Sequence, residues 1–287
     1  MPSTVLTLPS AMHQLTDRKV LEAHRRRMSR DDLFLYAEAA FDIEERLNEV
    51  NKSFTAPVIV GVPDTPITAL YPHAPLIPDQ AELNGTRAAH DLVIHALALH
   101  WADDPVGQMV QSRLLLQPDG LFMGVTFAGQ TLHELRSSVA EAEIRLRGGL
   151  SPRVLPMADL RDLGGLLQRA GFALPVADAR TLTVRYKTLA DLVRDLRAMG
   201  ETNALMDRAR HIPPKDLFSM TETIYRENFS DDGSHLIATF ELVFLTGWAP
   251  DESQQKPLRP GSARTRLSDA LGTFEVPAGE SVPPRSR

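Results

Sequence analysis

The sequence contains no cysteine. Disulfides, thiolate-ligated metals and a cysteine nucleophile are thereby excluded. Long apolar runs are also missing. Stretches such as Leu92-Val93-Ile94 and Leu242 to Leu245 are far too short to cross a bilayer as a helix. The opening MPSTVLTLPSAM has no basic segment ahead of an apolar one, so it does not read as a secretory signal, and a cytoplasmic protein is expected. Positive charge is not in excess either. Lys+Arg 31 against Asp+Glu 37 gives −6, which leaves no broad phosphate-neutralising field for nucleic acid. No GxSxG elbow or Ser/His/Asp order appears, so hydrolase chemistry has no support. What remains is a chain of 287 residues, 43% hydrophobic, long enough for one large α/β domain or two small ones.

Along the chain, residues 1–15 read as a loose tail, 16–274 as one domain, and 275–287 as a polar, proline-bearing tail expected to be disordered. From Asp17 to Asn51 the spacing is helical. That stretch carries Arg25-Arg26-Arg27, expected on a solvated helix face, where a peripheral membrane or phosphate contact is the functional counterpart. Pro57–Val62, Asp91–Ala96 and Leu121–Phe127 read as strands, Val106–Leu116 as a helix, and Gln117-Pro118-Asp119-Gly120 as a turn. Thr131 with Glu134 has the spacing of a capping box ahead of a helix. A further helix near Ala158–Ala170 should stop at Gly171. Thr181–Tyr186 alternates like a half-buried strand, and Thr188 with Asp191 opens a helix whose core face is Leu189, Leu192, Val193 and Leu196, stopped by Gly200. Pro213–Phe229 is helical in pattern, and Ala238–Trp248 is apolar on both faces, as in a central strand. Strands alternating with helices predict a mostly parallel, doubly wound α/β sheet with a cover built from roughly residues 128–235.

The stretch VIVGVPDTP, Val58 to Pro66, begins like a nucleotide-binding turn: an apolar strand stops at Gly61. Asp79 follows where a ribose-binding acid belongs at the end of a second strand. The segments HDLVIHALALHWADD (His90–Asp104), LQPDGLFMGVTFAGQTLHELRSSVAEAE (Leu116–Glu143), GGLSPRVLPMADLRDLGGLLQRAGF (Gly148–Phe172), DLRAMGETNAL (Asp195–Leu205) and FLTGWAPDESQQKPLRPGSA (Phe244–Ala263) carry a family resemblance. They resemble the S-adenosylmethionine (SAM) methyltransferase-like complex I assembly factors, arginine hydroxylases of a complex I subunit. That family is related to the malonyl-carrier-protein methyltransferase of biotin synthesis.

The resemblance implies a class I SAM-methyltransferase-like (Rossmann-like) fold, SAM as cofactor, and a protein substrate or respiratory complex I subunit as partner. It places cofactor contacts at Gly61, Asp79, His95 and Leu97, and a substrate pocket at His100, Trp101, Gly129, Thr131, Glu201 and Asn203. The sequence departs from the family at Pro63 and Thr65, which stand for the second and third glycines. Only eleven residues separate Asp79 from Asp91, where the family has a helix, a strand and the acidic loop that holds adenine. The first half of the fold is therefore expected to be shortened and the loop to be a former or altered SAM loop, with Thr65 directed toward cofactor space. The alternative function is a pseudo-methyltransferase acting as an assembly scaffold.

Three further groups carry simpler expectations. His90, His95 and His100 are five apart, a spacing that does not converge on a metal from a strand or a helix. His100 is expected either at the pocket or at a solvent edge beside a packed Trp101. Gly148–Arg153 reads as a mobile lid or a plain linker, and Glu134 as a helix cap.

Overall fold

The computed structural model describes residues 14–231, 234–255 and 272, so the expected tail at 275–287 and most of that at 1–15 lie outside the described residues. The chain divides into two compact units, Met1–Asp251 and Glu252–Arg287, and the sheet belongs to the first. Two helices, α1 (Arg18–Arg25) and α2 (Phe34–Glu49), precede β1 (Pro57–Val60), the single-turn α3 (Pro66–Ala69) and β2 (Leu76–Ile77). Then follow β3 (His90–Ala96), a tight turn at Leu99–Trp101, α4 (Pro105–Leu115) and β4 (Leu116–Phe127). The second half supplies α5 (His133–Arg147), α6 (Leu160–Arg169), β5 (Ala173–Tyr186), α7 (Leu189–Ala198), α8 (Lys215–Asn228), β6 (Ser230–Asp231) and β7 (His235–Trp248).

The strand order is β2-β1-β3-β4-β7-β5, with β6 beside β7. β2, β1, β3 and β4 pair in parallel, whereas β7 is antiparallel to both β4 and β5. Among the described strands β7 thus runs against its neighbours in a sheet whose other strands share one direction. This is the expected class I methyltransferase-like sheet, shortened in its first half. On that side it ends at β2, paired only at Ile59↔Leu76 and Val60↔Ile77.

Why these segments are strands follows from which faces they bury. Leu92 to Ala96 of β3 and Leu121 to Phe127 of β4 are buried without alternation, as strands covered on both faces must be. β5 lies at the edge and largely alternates between half-buried and exposed positions, so sequence shows its second half more clearly than its start at Ala173. Residues on one sheet face, such as Ile59, Ile94 and Phe240, join Leu35, Tyr36, Ile43 and Leu192 in one core layer. Those on the other, such as Val58, Val60 and Phe122, join Met109, Leu163 and Leu167.

Several expectations need correction. The N-terminal helical stretch is two helices separated at residues 26–33, and Arg25 is buried while Arg26 and Arg27 are exposed. The span 128–235 is not purely a helical cover, because it contains β5. Residues 117–120 are continuous with β4, where Asp119 adopts φ 57° and donates its backbone N–H to Ala249. The Thr131–Glu134 capping box does not form. Thr131 Oγ1 instead accepts from Glu241 N at 3.0 Å, and Glu134, itself buried, accepts from the backbone N–H and hydroxyl of Thr239. A neighbouring strand with open polar groups outcompetes the local cap, and Leu132 takes the N-cap position at φ 53°. The Thr188–Asp191 box does form, and Gly171 and Gly200 end their helices at φ 79° and 74°.

Candidate functional site: an altered loop, a buried ion pair and a cavity

The region that concerns function lies beyond the carboxyl ends of β1, β3 and β4, where open α/β sheets bind ligands. Gly61 leaves β1 at φ 152°. A Cβ there would stand 3.0 Å from the Ala96 carbonyl oxygen and 3.1 Å from the Ala96 Cβ, so the close approach to β3 requires glycine. The rest of the loop is rebuilt. Thr65 does not point into ligand space; it is buried and caps α3, accepting from Thr68 N at 3.3 Å while the Thr68 hydroxyl donates to the Thr65 carbonyl at 2.8 Å. Pro63 has no N–H to offer, and its carbonyl accepts from Arg30 Nη1 at 2.8 Å.

Asp79 sits just past β2 and is buried. Its Oδ1 accepts from Arg25 Nη1, and its Oδ2 lies 3.4 Å from Arg18 Nη2. Burial works against the charge of Arg25, but the attraction of Asp79 and then of Glu201 outweighs it, and the guanidinium pKa is raised. Arg25 Nε and Nη2 and the Tyr36 hydroxyl have no hydrogen-bond partner among the described residues. Nothing in the sequence marks Arg25 or Tyr36, since each lies in a helical pattern that also fits a solvated or packed residue.

His95 and Leu97, expected beside a cofactor, are packed into the core. His95 Nε2 is 3.2 Å from Gln108 Oε1, and the Gln108 amide also donates to the Gln80 carbonyl, which fixes the amide orientation and makes Nε2 the protonated nitrogen. Burial pushes the His95 pKa down to about 4, so the ring is neutral at pH 7. The chain His95–Gln108–Gln80 ties β3 and α4 to the residue following Asp79.

A cavity of about 400 Å³ opens beside this cluster. Trp101, Thr131, Glu201 and Asn203 line it, with Phe127, Leu135, Leu155, Phe218 and Phe240 as apolar walls. Gly129 is not among its lining residues and packs near Ala158 and Asp159. His100 is not at a solvent edge: its side chain is 2% exposed and stands behind the wall, Nε2 3.0 Å from Glu201 Oε2 and Nδ1 3.3 Å from Thr126 Oγ1. Trp101 Nε1 donates to the same Glu201 Oε2 at 2.7 Å. Glu201 follows Gly200, where a Cβ would lie 2.8 Å from Met28 Cγ, so the glycine both ends α7 and admits Met28. The loop at Gly148–Arg153 is not a free lid. Ser151 N donates to Glu143 Oε2 at 2.7 Å, Arg153 Nε donates to Glu143 Oε1 at 2.8 Å, and Glu143 is buried. Among the described residues no cluster of three His, Asp or Glu side chains is placed to hold a metal.

SAM does not fit these residues well. The carboxylate that would accept ribose hydroxyls already holds two guanidiniums. Pro63 removes a backbone donor, and no described strand lies beyond β2 to wall an adenine ring.

Comparison with known proteins bears on identity. The chain is 41% identical over 184 residues to the mitochondrial arginine-hydroxylase NDUFAF5 of Dictyostelium discoideum, covering 64% of this chain and 42% of that one. It is 33% identical over 229 residues to the Homo sapiens protein of the same name, covering 79% and 66%. To the malonyl-[acyl-carrier protein] O-methyltransferase of Halorhodospira halophila it is 32% identical over 174 residues, covering 61% and 57%. The chain therefore spans less than two thirds of the length of these relatives. Among solved structures, the YcgJ protein of Bacillus subtilis gives a TM-score of 0.46 at 10% identity, covering 72% of this chain and 97% of that one. No protein-family model matches the chain. By sequence, the chain is similar to the arginine-hydroxylases named NDUFAF5 and more distantly to malonyl-[acyl-carrier protein] O-methyltransferases.

Proposed function

We propose that this protein assists assembly of respiratory complex I by engaging an arginine-bearing protein segment, and that it does so without SAM at the altered loop. The observation that carries the second half is the buried Asp79, held by Arg25 and Arg18 from α1. A carboxylate committed to two internal cations contributes little to ribose binding, and displacing Arg25 would leave a buried charge uncompensated. The first half rests on the names of the relatives and on the cavity beside the cluster, which is mostly apolar with a few polar groups.

A second reading, SAM-dependent modification of a protein arginine or methyl transfer, is favoured by two features. Gly61 keeps its close approach to β3, and Arg25 and Tyr36 keep polar atoms without partners nearby. Calorimetric titration with SAM and with its demethylated product separates the two. The first reading expects Kd weaker than about 100 μM, and low-micromolar binding would favour the second. Deletion of the gene is expected to lower the level of assembled complex I, and unchanged levels would remove the assembly role.

A further inference from the structure

The cavity beside the ion pair is apolar inside and offers charge of one sign at its mouth. Among the described residues Glu201 is its one acidic lining residue, and that carboxylate has nothing to give a ligand. Oε2 receives Trp101 Nε1 at 2.7 Å and faces His100 Nε2 at 3.0 Å, Oε1 is fully buried, and the charge is coupled to Arg25. Three basic residues line the same space: His24, Arg153 and Arg197. Arg153 spends Nε and Nη2 on the buried Glu143. His24 Nδ1 lies 2.9 Å from Thr202 Oγ1. Burial, with the positive charges of Arg27 and Arg208 nearby, holds the His24 pKa below its ordinary value, so the local field is cationic even where the ring is neutral. Arg197, in the last turn of α7, is exposed, and its guanidinium has no ion pair or hydrogen bond among the described residues. Arg197 and Phe218 are the exposed lining residues and mark the mouth.

An apolar interior with no open anion and one free guanidinium at the mouth suits an aliphatic chain that ends in a negative charge. A cationic head would meet Arg197 with like charge and find no acceptor. The guanidinium fork matches a carboxylate, which it can hold through two parallel hydrogen bonds. Size narrows the choice further. At about 400 Å³ the cavity stands near the lower end of ligand sites, which run from about 300 to 1,000 Å³. That is room for one chain of medium length and not for the two chains of a phospholipid. We infer that the cavity is a binding site for a free single-chain aliphatic carboxylate. Its chain lies between Leu135 and Val139 of α5 and Val193 and Leu196 of α7, and its carboxylate pairs with Arg197. This inference goes beyond the assembly role and does not depend on it.

The test uses decanoate, decan-1-ol and decyltrimethylammonium, which share one chain and differ in the charge of the head. Binding to the full chain is followed by ligand-observed NMR. Wild type is expected to bind decanoate about fivefold more tightly than decan-1-ol, the ratio an exposed ion pair supplies at its upper end, and decyltrimethylammonium most weakly. Arg197→Met keeps an apolar stem at an exposed position, so the fold should survive. It is expected to bring the decanoate to decan-1-ol ratio close to one and leave decan-1-ol binding unchanged. The place of the chain is read separately. Trp101 and Trp248 are the two tryptophans, and Trp101 lines the cavity, so in Trp248→Phe the fluorescence reports from Trp101 alone. Bound 10-bromodecanoate is expected to quench it. No decanoate binding, equal binding of decanoate and decan-1-ol by wild type, an unchanged ratio in Arg197→Met, or binding without quenching of Trp101 would each overturn the inference. So would capture by phosphatidylglycerol vesicles with no affinity for decanoate, which would assign Arg197 to a membrane surface. Complex I levels on gene deletion bear on the assembly role and leave this result untouched.

Discussion

Removing Asp79 should unfold more than it inactivates. In Asp79→Ala the Arg25 guanidinium stays in place, 9% exposed, with its principal counter-charge gone. Breaking one side of a buried ion pair costs about 3–5 kcal/mol. The lower end applies here for two reasons. Glu201 also attracts Arg25, and Arg18, with 31% of its side chain exposed, can retreat to water. Taking about 3 kcal/mol, and about 2–4 °C per kcal/mol for a domain of this size, thermal unfolding should fall by about 6–12 °C. The double variant Arg25→Met, Asp79→Leu replaces the pair by apolar groups of similar volume and should return most of that loss, because it removes both desolvation penalties together. Scanning calorimetry on wild type, both single variants and the double variant completes the cycle. An Asp79→Ala protein that melts within about 1 °C of wild type would refute the reasoning, since a carboxylate kept free for a ligand leaves apo stability nearly untouched. The same cycle decides which variant belongs in a cell. The double variant, and not Asp79→Ala alone, is the fair complementation test, because it removes the ribose-type acid without destabilising the protein.

Three other outcomes follow from the structure. Leu192 is fully buried on α7, so Leu192→Ala should cost about 2–5 kcal/mol in denaturant unfolding, while Arg194→Ala, 71% exposed and paired with Asp191 one turn away, should cost less than about 1 kcal/mol. His95 has a folded pKa near 4 against 6.5 in an unfolded chain, so between those values the unfolded state binds the proton and the folded state does not. Its stabilising contribution is complete above pH 6.5 and is lost as pH falls toward 4. The total is about 3 kcal/mol, and urea titrations of His95→Gln should show a correspondingly shallower decline over that window than wild type. Gly61→Ala should lower the melting temperature by several degrees, at about 1–3 kcal/mol, because its Cβ meets backbone at Ala96; an unchanged melting temperature would show that the turn relaxes.

How much of this was legible in the sequence differs by element. Strands β3 and β4 announced themselves because burial on both faces leaves unbroken apolar runs, and β7 did so only over Leu242 to Leu245, since the rest of it alternates between half-buried and buried positions. α7 did so because its cap, its apolar face and its terminal glycine all agree. The start of β5 was hidden, since its half-buried positions carry Ala173, Pro175, Ala177, Asp178 and Arg180, which give no apolar alternation, while Leu174 and Val176 are exposed. The capping box at Thr131 misled for a physical reason: local spacing cannot reveal that Glu241 and Thr239 of a strand more than a hundred residues away compete for the same side chains. At the candidate site, Trp101, Thr131, Glu201 and Asn203 come together around one cavity, and Gly129 and His100 are not among its lining residues. Arg25 and Tyr36 carried no signal, because an ion pair between α1 and the end of β2 spans 54 residues and is written in no periodicity.

The position of β7 has a bearing on how the chain reaches its native state. It is the last of the described strands in sequence, yet it fills the slot between β4 and β5, in register from Leu121↔Trp248 on one side and Tyr186↔Leu236 on the other. On a growing polypeptide, β4 and β5 therefore emerge with their ladder groups unsatisfied and wait for residues 235–248 before the gap closes. Open strand edges of this length are where chains recruit one another. Contacts so distant in sequence also form slowly, because the entropy of closing the intervening loop is met before any pairing compensates it. A protein built this way stays exposed to self-association until its final strand slots in, and it gains more than most from a chaperone that shields β4 and β5 during synthesis.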